Sequence, residues 1–301
     1  MNQSSIVQRI LPTNVANNLT VNPERGMKIG EIMLGKGRLT PMQIERILVD
    51  QAQSKLRFGE IAIKLGFATP RDVEEALAQQ FGYSRSDVSS NLIPQKLVAA
   101  HNPALPFAEA LRGLRSQLLL RWFDGSPGQT ALAVTSVDRG DGKSFITANL
   151  GVVFAQLGER TLIIDADLRH PTQNQIFGIE NKMGLSGILS GRAGLEEISQ
   201  IASVGNLSVL PSGPLPPNPQ ELLGRQDFVD LLNNLSTMYD AILVDTPSAQ
   251  EASDASVVAQ RVRAAIIVGR RDRTRSAELA QLVSILTSSG IQVLGATLNS
   301  M

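Results

Sequence analysis

The chain has 301 residues, and its 28 Lys and Arg balance 28 Asp and Glu, so the formal net charge is zero at neutral pH. This balance argues against a domain that binds nucleic acid through bulk positive charge. The sequence has no cysteine and two histidines, which excludes disulfides, thiolate metal sites and a histidine-rich metal centre. No apolar run approaches the roughly 20 residues of a membrane span, and the polar N-terminus lacks a signal-peptide core. We therefore expect a cytoplasmic protein of about two domains.

The first third of the chain contains a tandem repeat. Residues 1–25 are polar and predict a disordered lead-in. Lys28-Ile29-Gly30-Glu31-Ile32 then recurs 29 residues later as Arg57-Phe58-Gly59-Glu60-Ile61. Each unit predicts a short helix, a glycine C-cap, and a second helix that begins with a Thr N-cap and Pro. Residues 26–83 therefore predict a small all-helical domain made of two similar units.

The spacing of glycines, basic residues, leucines and glutamines in this repeat resembles the N-terminal domain of the MshE family, which binds cyclic di-GMP. The resemblance implies a ligand set with equivalent members in both units: Lys28, Ile29, Gly30, Gly37, Leu48, Gln51, Arg57, Phe58, Gly59, Gly66, Leu77 and Gln80. Lys28 departs from the family pattern, because lysine lacks the planar fork that arginine offers to guanine or phosphate. The alternative is a purely structural repeat, in which the glycines end helices and the basic residues are solvated.

A linker is predicted at residues 84–106, which lose periodicity and are rich in Ser, Asn and Pro, with one helical turn near Gln95–Ala100. An amphipathic helix with Glu109, Arg112 and Arg115 on one face follows. A charged face opposite an apolar one is by itself an ordinary solvated surface.

A phosphate-binding loop is the most informative motif of the chain. The apolar run Ala131–Val134 predicts a strand, Val137–Ser144 forms a glycine-rich turn ending in Gly-Lys-Ser, and Phe145–Leu157 predicts a helix. Glycines let the backbone wrap an anion, the helix N-terminus adds partial positive charge, and a lysine and a serine can reach phosphate and Mg²⁺. Val137 stands where the usual pattern has glycine, so an ordinary strand-to-helix turn is the alternative.

Two further strands end in acidic residues. Thr161–Ile164 predicts a buried strand followed by Asp165 and Asp167, and Ala241–Val244 predicts another followed by Asp245. Carboxyl ends of parallel strands are where open α/β sheets bind ligands, and carboxylates there can hold Mg²⁺ or accept a proton. Strands at 207–210, 264–268 and 292–298 alternate with helices near 220–235, 253–259 and 276–288, which predicts a mostly parallel sheet covered on both faces.

Residues 107–301 together resemble the bacterial tyrosine kinases, or BY-kinases, of exopolysaccharide chain-length control, within the MinD/ParA-like P-loop ATPases. The matching segments are the phosphate loop, Asp165–Pro171, Leu210–Leu223 with its Pro-Pro-Asn-Pro run, and Tyr239–Pro247. The fold implied is an α/β P-loop NTPase preceded by a small all-α tandem-repeat domain.

The resemblance implies ATP and Mg²⁺ as cofactors and assigns roles residue by residue. The nucleotide set is Asp138, Arg139, Gly140, Asp141, Gly142, Lys143, Ser144, Phe145 and Asn299. Ser144, Asp245 and Asp165 would set the metal ion, and Lys143, Asp165 and Asp167 would be catalytic. Glu109, Arg112 and Arg115 match the motif that the family uses for ring oligomerisation. Family architecture also implies a separate inner-membrane polysaccharide co-polymerase as partner, which would hold the protein peripherally at that membrane.

The sequence departs from autophosphorylating relatives, which end in a tyrosine-rich tail. Its tyrosines are Tyr83 and Tyr239. We therefore expect either a tyrosine supplied by another protein or an ATP-dependent scaffold without kinase output. A DNA- or surface-positioning ATPase is a third interpretation. Asp138 occupies the place of the signature lysine of those relatives, which argues against it, as does the neutral charge.

Overall fold

The computed structural model describes residues 27–54, 56–80, 94–251 and 253–300. The expected lead-in at residues 1–25 lies outside the described residues, as do Tyr83 and residues 84–93 of the expected linker. The chain divides into two compact units, Met1–Arg85 and Ser86–Met301.

The small unit follows the predicted repeat of paired helices. Its described helices are α1 (Ile29–Gly35), α2 (Pro41–Gln53), α3 (Phe58–Lys64) and α4 (Pro70–Gln80). Gly37 and Gly66 follow the first helix of each pair with φ of 65° and 69°, a conformation that favours glycine. The Thr40 and Thr69 hydroxyls accept hydrogen bonds from the Gln43 and Asp72 N–H groups at 3.3 and 3.2 Å. Both predicted N-caps are therefore present.

The core of the small unit forms where α1 packs against α4 and α2 against α3. Ile32, Met33, Ile47, Ile61 and Val73 are buried there. Leu48 and Leu77, at equivalent places in the two repeats, remain 52% and 38% exposed. The second helix of each repeat therefore carries an apolar side chain that the core does not bury.

The larger unit is an α/β fold. Its described strands are β1 (Ala131–Ser136), β2 (Thr161–Asp165), β3 (Ser199–Gln200), β4 (Leu207–Leu210), β5 (Ala241–Asp245), β6 (Ala264–Arg270) and β7 (Gln292–Asn299). Its described helices are α5 (Val98–His101), α6 (Pro106–Arg121), α7 (Lys143–Leu157), α8 (Gln173–Phe177), α9 (Gly184–Leu189), α10 (Pro219–Leu223), α11 (Gln226–Leu235), α12 (Asp254–Val262) and α13 (Ser276–Ser288). A short 3₁₀ turn spans Leu195–Glu197.

The strands form one sheet in the order β3-β4-β2-β5-β1-β6-β7, in which only the pairing of β3 with β4 is antiparallel among the described strands. Strand residues alternate between two cores: Leu132 packs with α6 and α7, whereas Ala133 packs with the residues under α11–α13. This period of two buries both faces of each central strand. The predicted fold class, a mostly parallel sheet covered by helices, is confirmed.

Two boundaries differ from the sequence-based expectation. The single helix expected near residues 220–235 is wrong: α10 ends at Leu223 and α11 begins at Gln226. Arg225 between them has extended backbone, and the Arg261 guanidinium donates to the carbonyl of Gly224. In one continuous helix, the buried Leu222 and Leu223 would lie on the face opposite Phe228, Leu231 and Leu232. The break allows both sets to reach the core.

The segment expected to be a linker contributes to the larger unit. Helix α5 lies within it, and the Ala99 N–H donates to Asn149 Oδ1 on α7 at 2.9 Å. Leu97 and Ala99 are fully buried in the core beside α7. The described end of this segment is therefore packed structure.

Candidate functional site

The loop between β1 and α7 is a turn that requires glycine at two positions. Gly140 and Gly142 have φ of 87° and 91°, which residues with a Cβ rarely adopt. A Cβ on Gly142 would lie 2.1 Å from Asn299 Nδ2. Val137 has no positive φ and is buried, and its carbonyl accepts from the Gln250 N–H at 3.1 Å. Valine in place of glycine at the loop start therefore leaves the turn intact.

The free N–H groups of this loop make it an anion cradle. Among the described residues, none accepts a hydrogen bond from the N–H groups of Arg139–Gly142. Helix α7 begins directly afterwards at Lys143, so its partial positive charge adds to theirs. Unpaired donors beside a helix N-terminus are suited to a phosphate chain.

Lys143 lies against the acidic end of β2. Its Nζ is 3.3 Å from Asp167 Oδ2, and the two side chains are 11% and 3% exposed. Burial lowers the pKa of Lys143, but the charges of Asp245, Asp167 and Asp165 outweigh it, and the pKa is raised. The ammonium therefore stays charged throughout the physiological range.

Asp165 organises the backbone after β2. Its Oδ2 accepts hydrogen bonds from the Thr172 and Gln173 N–H groups at 3.0 and 2.9 Å, and its Oδ1 accepts from the Asp167 N–H at 3.2 Å. Burial, and then the nearby charge of Asp245, raise its pKa well above the ordinary value. Both carboxylate oxygens already have partners, which favours an orienting role for Asp165.

Asp245 lies beside Asp165 because β5 and β2 pair in register at these two residues. Gln173 Nε2 donates to Asp245 Oδ2 at 2.8 Å and to the Ser144 carbonyl at 3.1 Å. Asp245 Oδ1 is buried and has no hydrogen bond of ordinary geometry to any residue in the described part of the chain. Burial raises the pKa of Asp245 against the opposing effects of Lys143, Gln173 and Ser144.

Gln173 is a site residue that sequence reasoning missed. It is fully buried, and its side chain links Asp245 to the first turn of α7. Glutamine has no distinctive motif, so its role depends on folding residues 165–173 back over the end of β5.

The charges at this edge favour a divalent cation. Three buried carboxylates face one lysine, so when ionised they leave two negative charges uncompensated in a region of low dielectric. No three Asp, Glu or His side chains in the described ranges cluster closely enough to hold a metal unaided. Mg²⁺ commonly takes one or two carboxylates and completes its shell with phosphate and water. Ser144 and Asp245, with its unpaired Oδ1, fit such an ion.

The remaining predicted nucleotide residues differ in what they offer a ligand. Arg139 is exposed at the rim, and Asn299 is buried and donates to the Asp141 carbonyl at 3.1 Å. Asp141 is fully buried with both oxygens engaged inside the protein. Phe145 packs against Phe107 with ring centroids 5.4 Å apart. The surroundings of Asp141 and Phe145 therefore indicate structural roles.

The three residues of the expected oligomerisation motif are also in different settings. Arg112 pairs with Glu109 at 2.6 Å, and the Glu109 side chain is 72% exposed. Arg115 is buried and donates to the Val153 carbonyl on α7 at 2.7 Å. Glu109 is therefore accessible on α6, whereas Arg115 joins α6 to α7.

The predicted cyclic di-GMP residues occupy equivalent places in the two repeats. Lys28 and Arg57 are exposed at the starts of α1 and α3, and Gln51 and Gln80 are half-buried at the ends of α2 and α4. Gly30 and Gly59 are buried, and Cβ atoms there would approach Phe58 and Val73 side-chain atoms at 3.1 and 2.5 Å. Helix packing explains these two glycines and the half-buried Ile29 and Phe58. Gly37 and Gly66 are exposed in the turns after α1 and α3.

Comparisons with known proteins agree with this architecture. The CobQ/CobB/MinD/ParA nucleotide binding domain matches residues 132–298. The putative tyrosine-protein kinase CapB of Staphylococcus aureus is 37% identical over 66% of this chain and 86% of its own length. The tyrosine-protein kinase wzc of Salmonella typhi is 34% identical over 68% of this chain, which spans 28% of the length of wzc.

Solved structures show the same relationship. The kinase domain of the Escherichia coli tyrosine kinase ETK matches with a TM-score of 0.64 and 34% identity, covering 68% of this chain and 80% of that one. MinD of Pyrococcus horikoshii in complex with Mg-ADP matches with a TM-score of 0.50 and 25% identity, covering 56% of this chain and 70% of that one.

The fold and the site define a P-loop ATP-dependent enzyme, a phosphotransferase or ATPase. Within that class, the chain belongs to the MinD/ParA-type nucleotide-binding family and, by its similarity to CapB, to the group related to bacterial tyrosine kinases.

Proposed function

We propose that this protein is a Mg²⁺- and ATP-dependent protein-tyrosine kinase that regulates exopolysaccharide polymerisation and export. The observation that carries the proposal is the Lys143 ammonium, held among Asp165, Asp167 and Asp245. It lies beside a loop whose Arg139–Gly142 N–H groups donate to none of the described residues. Similarity to CapB and ETK supports tyrosine as the acceptor. Phosphoryl transfer needs positioning and charge neutralisation, which this arrangement can supply.

The contacts of each site residue indicate which role it would have. The loop N–H groups and Lys143 would hold the β- and γ-phosphates. Ser144 and Asp245 would hold Mg²⁺, which neutralises phosphate charge when bound. Asp167 contacts Lys143 and accepts from the His170 N–H at 2.9 Å. Of the two expected bases, we favour Asp167 for orienting or deprotonating a tyrosine hydroxyl, because Asp165 is occupied by three N–H donors.

Transfer of radiolabelled phosphate from ATP to a Glu/Tyr copolymer tests this function. The wild-type chain with Mg²⁺ should label tyrosine, and Lys143→Met should lower labelling by at least about 100-fold because transition-state charge goes unbalanced. Lys182→Met is the matched control, since Lys182 is 72% exposed and pairs with Glu180 on the surface. Label on tyrosine that persists in Lys143→Met would contradict the assignment.

The second candidate is an ATP-dependent scaffold without kinase output. Tyr239 is half-buried beside β5, which favours a packing role over a substrate role. If the protein is a kinase, we therefore propose that another protein supplies the substrate tyrosine. The same experiment separates the two functions: ATP hydrolysis that depends on Lys143 without any phosphotyrosine would favour the scaffold.

A positioning ATPase that binds DNA is the less favoured third candidate. The net charge is zero, and Asp138 stands where those relatives carry their signature lysine. A DNA mobility shift that weakens steeply with salt would favour that function. We expect no shift at physiological salt.

We further propose that cyclic di-GMP binds the small unit and gates the enzyme. Arg38, just after α1, pairs with Asp72 at the start of α4 at 3.3 Å, so these packed helices run antiparallel. This arrangement puts Lys28, at the start of α1, on the same side as Gln80, at the end of α4. A basic and an amide side chain beside the exposed Leu77 suit a nucleotide with phosphate and base edges.

Calorimetry of the full chain with cyclic di-GMP tests this binding. Arg57→Ala and Lys28→Ala should each weaken it by at least about tenfold, whereas Lys64→Ala, an exposed control at the end of α3, should not. If the wild-type chain gave no heat and no melting shift at high ligand concentration, the structural interpretation of the repeat would stand.

Oligomerisation and membrane attachment complete the proposal. We propose that Glu109 and Arg112 contribute to contacts between copies of the chain. An inner-membrane polysaccharide co-polymerase would hold the otherwise cytoplasmic protein at the membrane. Among the helices described, none combines the length and hydropathy needed to cross a bilayer.

Glu109→Ala should lower the mass of the oligomer measured by analytical ultracentrifugation without lowering the melting temperature. Arg115→Ala should lower the melting temperature.

A further inference from the structure

A second segment of the larger unit holds the phosphate loop from outside. This segment is the turn from Arg270 to Thr274, between β6 and α13. The Thr274 hydroxyl donates to Asp141 Oδ1 at 2.9 Å and accepts from the Arg270 N–H at 2.7 Å. The other oxygen of the same carboxylate accepts from the Asp138 N–H at 2.9 Å. Thr274 and Asp141 therefore connect this turn to both ends of the loop's glycine-rich stretch.

The loop carbonyls are held by the same part of the chain. Arg270 donates to the Gly140 carbonyl at 3.0 Å, and Arg273 donates to the Arg139 carbonyl at 3.0 Å. Asn299, at the end of β7, donates to the Asp141 carbonyl at 3.1 Å. Three successive carbonyls are thus engaged by side chains, while the N–H groups of Arg139–Gly142 donate to none of the described residues.

This division of partners holds the loop in an anion-binding conformation through contacts within the protein. A turn with two glycines at positive φ has many alternative conformations, and ordering it on binding would weaken affinity. Engaging the carbonyls leaves only N–H groups for the ligand. The Asp141 charge, which would repel a triphosphate, is fully buried and hydrogen-bonded on both oxygens.

We propose that Thr274 is a positioning residue for triphosphate binding, acting through Asp141 on the phosphate loop. The inference rests on the proposed ATP-dependent function. Because Thr274 contacts Asp141 and no reacting group, its loss should weaken binding of ground state and transition state alike. KM for ATP should therefore rise while kcat changes little.

Three substitutions test the role of the hydroxyl. Thr274→Val keeps the shape and removes the donor, Thr274→Ser keeps the donor, and Thr287→Val makes the same change at an exposed position on α13. Titration with a fluorescent ATP analogue should show about tenfold weaker binding for Thr274→Val, because this substitution removes the hydroxyl that donates to the charged Asp141 carboxylate. Thr274→Ser and Thr287→Val should bind within about twofold of wild type.

A double-mutant cycle shows whether Thr274 acts through Asp141. In the Asp141→Asn background, Thr274→Val should weaken analogue binding by clearly less than in the wild-type background, because the charged acceptor is already gone. Equal losses in both backgrounds would overturn the proposed route. If Thr274→Val did not fold, as judged by melting without nucleotide, Thr274→Ala would replace it.

The outcomes separate this inference from the function on which it rests. If the wild-type chain does not bind the analogue, the nucleotide function itself fails. If the wild-type chain binds and Thr274→Val binds equally well with an unchanged KM, only the role of Thr274 is wrong. A loss in kcat with unchanged KM would also overturn it, because it would place the hydroxyl in the chemical step.

Discussion

At the scale of single residues, the same residue type serves different purposes depending on its partners. Asp165, Asp167 and Asp245 face Lys143, whereas Asp141, only two residues before that lysine, binds Thr274 and the Asp138 N–H. The sequence puts Asp141 inside a nucleotide-binding motif and so predicts contact with the ligand. Its burial and saturated oxygens indicate a support for the loop instead.

Asp245→Asn should stabilise the ligand-free protein and abolish its activity. Asparagine keeps the oxygen that accepts from Gln173 and removes one of three buried carboxylate charges. We expect a melting temperature about 2–4 °C higher, corresponding to about 1 kcal/mol, and at least about 100-fold less ATP turnover.

Differential scanning fluorimetry without Mg²⁺ and a coupled ATPase assay measure the two effects. Asp230→Asn, on the exposed face of α11, should change neither. A lower melting temperature for Asp245→Asn would show that the carboxylate stabilises the protein through Lys143 by more than its burial costs.

At the scale of elements, the amino ends of β2 and β5 are joined by one ion pair. Arg160 donates to Asp240 from its backbone N–H and its guanidinium, with the closest contact at 2.6 Å. The Arg160 side chain holds the pKa of Asp240 below its ordinary value. A lowered pKa means that the pair stabilises the fold above the ordinary carboxyl pKa, and that this contribution is lost as pH falls through the lowered value.

Asp240→Asn should therefore destabilise the protein at pH 7 and have little effect once the carboxyl is protonated. Since the pair is partly exposed, with side chains 56% and 37% accessible, we expect about 0.5–1 kcal/mol at pH 7. Urea unfolding of wild type and variant across pH 3–7 measures the difference. A difference that stays constant over this range would exclude the ion pair as its cause.

The two repeats of the small unit provide matched tests of helix capping. Thr40 and Thr69 cap α2 and α4 with similar geometry. Replacing either with alanine should cost about 1 kcal/mol in its own helix and speed local amide exchange about fivefold there. Hydrogen exchange of the full chain checks this, and each variant serves as the control for the other helix. Exchange unchanged in the helix that lost its cap would mean that packing alone holds its first turn.

At the scale of the whole molecule, a single tryptophan reports on one of the two units. Trp122 is buried in the larger unit, and its indole N–H donates to the Ala131 carbonyl at 2.8 Å. Trp122 fluorescence therefore follows unfolding around β1, the strand that leads into the phosphate loop.

Mg²⁺ and ATP should raise the free energy of unfolding detected by Trp122. At a nucleotide concentration 100 times Kd, the expected gain is about 2.7 kcal/mol. Lys143→Met should lose most of this gain, and Lys182→Met should keep it. Urea titrations with and without Mg-ATP measure the gain. An equal gain in Lys143→Met would mean that ATP binds without the phosphate loop.

The features that depend on local spacing follow from the amino-acid sequence alone. The period of two in the strands, the glycine turn before α7, the Thr-Pro helix starts and the acidic strand ends all follow from neighbouring residues. Parallel strands bring their carboxyl ends to one edge, so even the convergence of Asp165 and Asp245 near Lys143 could be predicted. The nucleotide-binding class of the larger unit was readable for the same reason.

The pairing of polar groups across long stretches of chain depends on how the folded elements are arranged in space. The contact of Thr274 with Asp141 joins residues 133 positions apart, and Gln173 meets Asp245 across 72. Neither has a periodic signal, because a hydrogen bond between loops depends on the exact placement of whole elements. The packing of α5 and the burial of Arg115 belong to the same category. In both, a polar group meets its partner on α7 only after the elements have assembled.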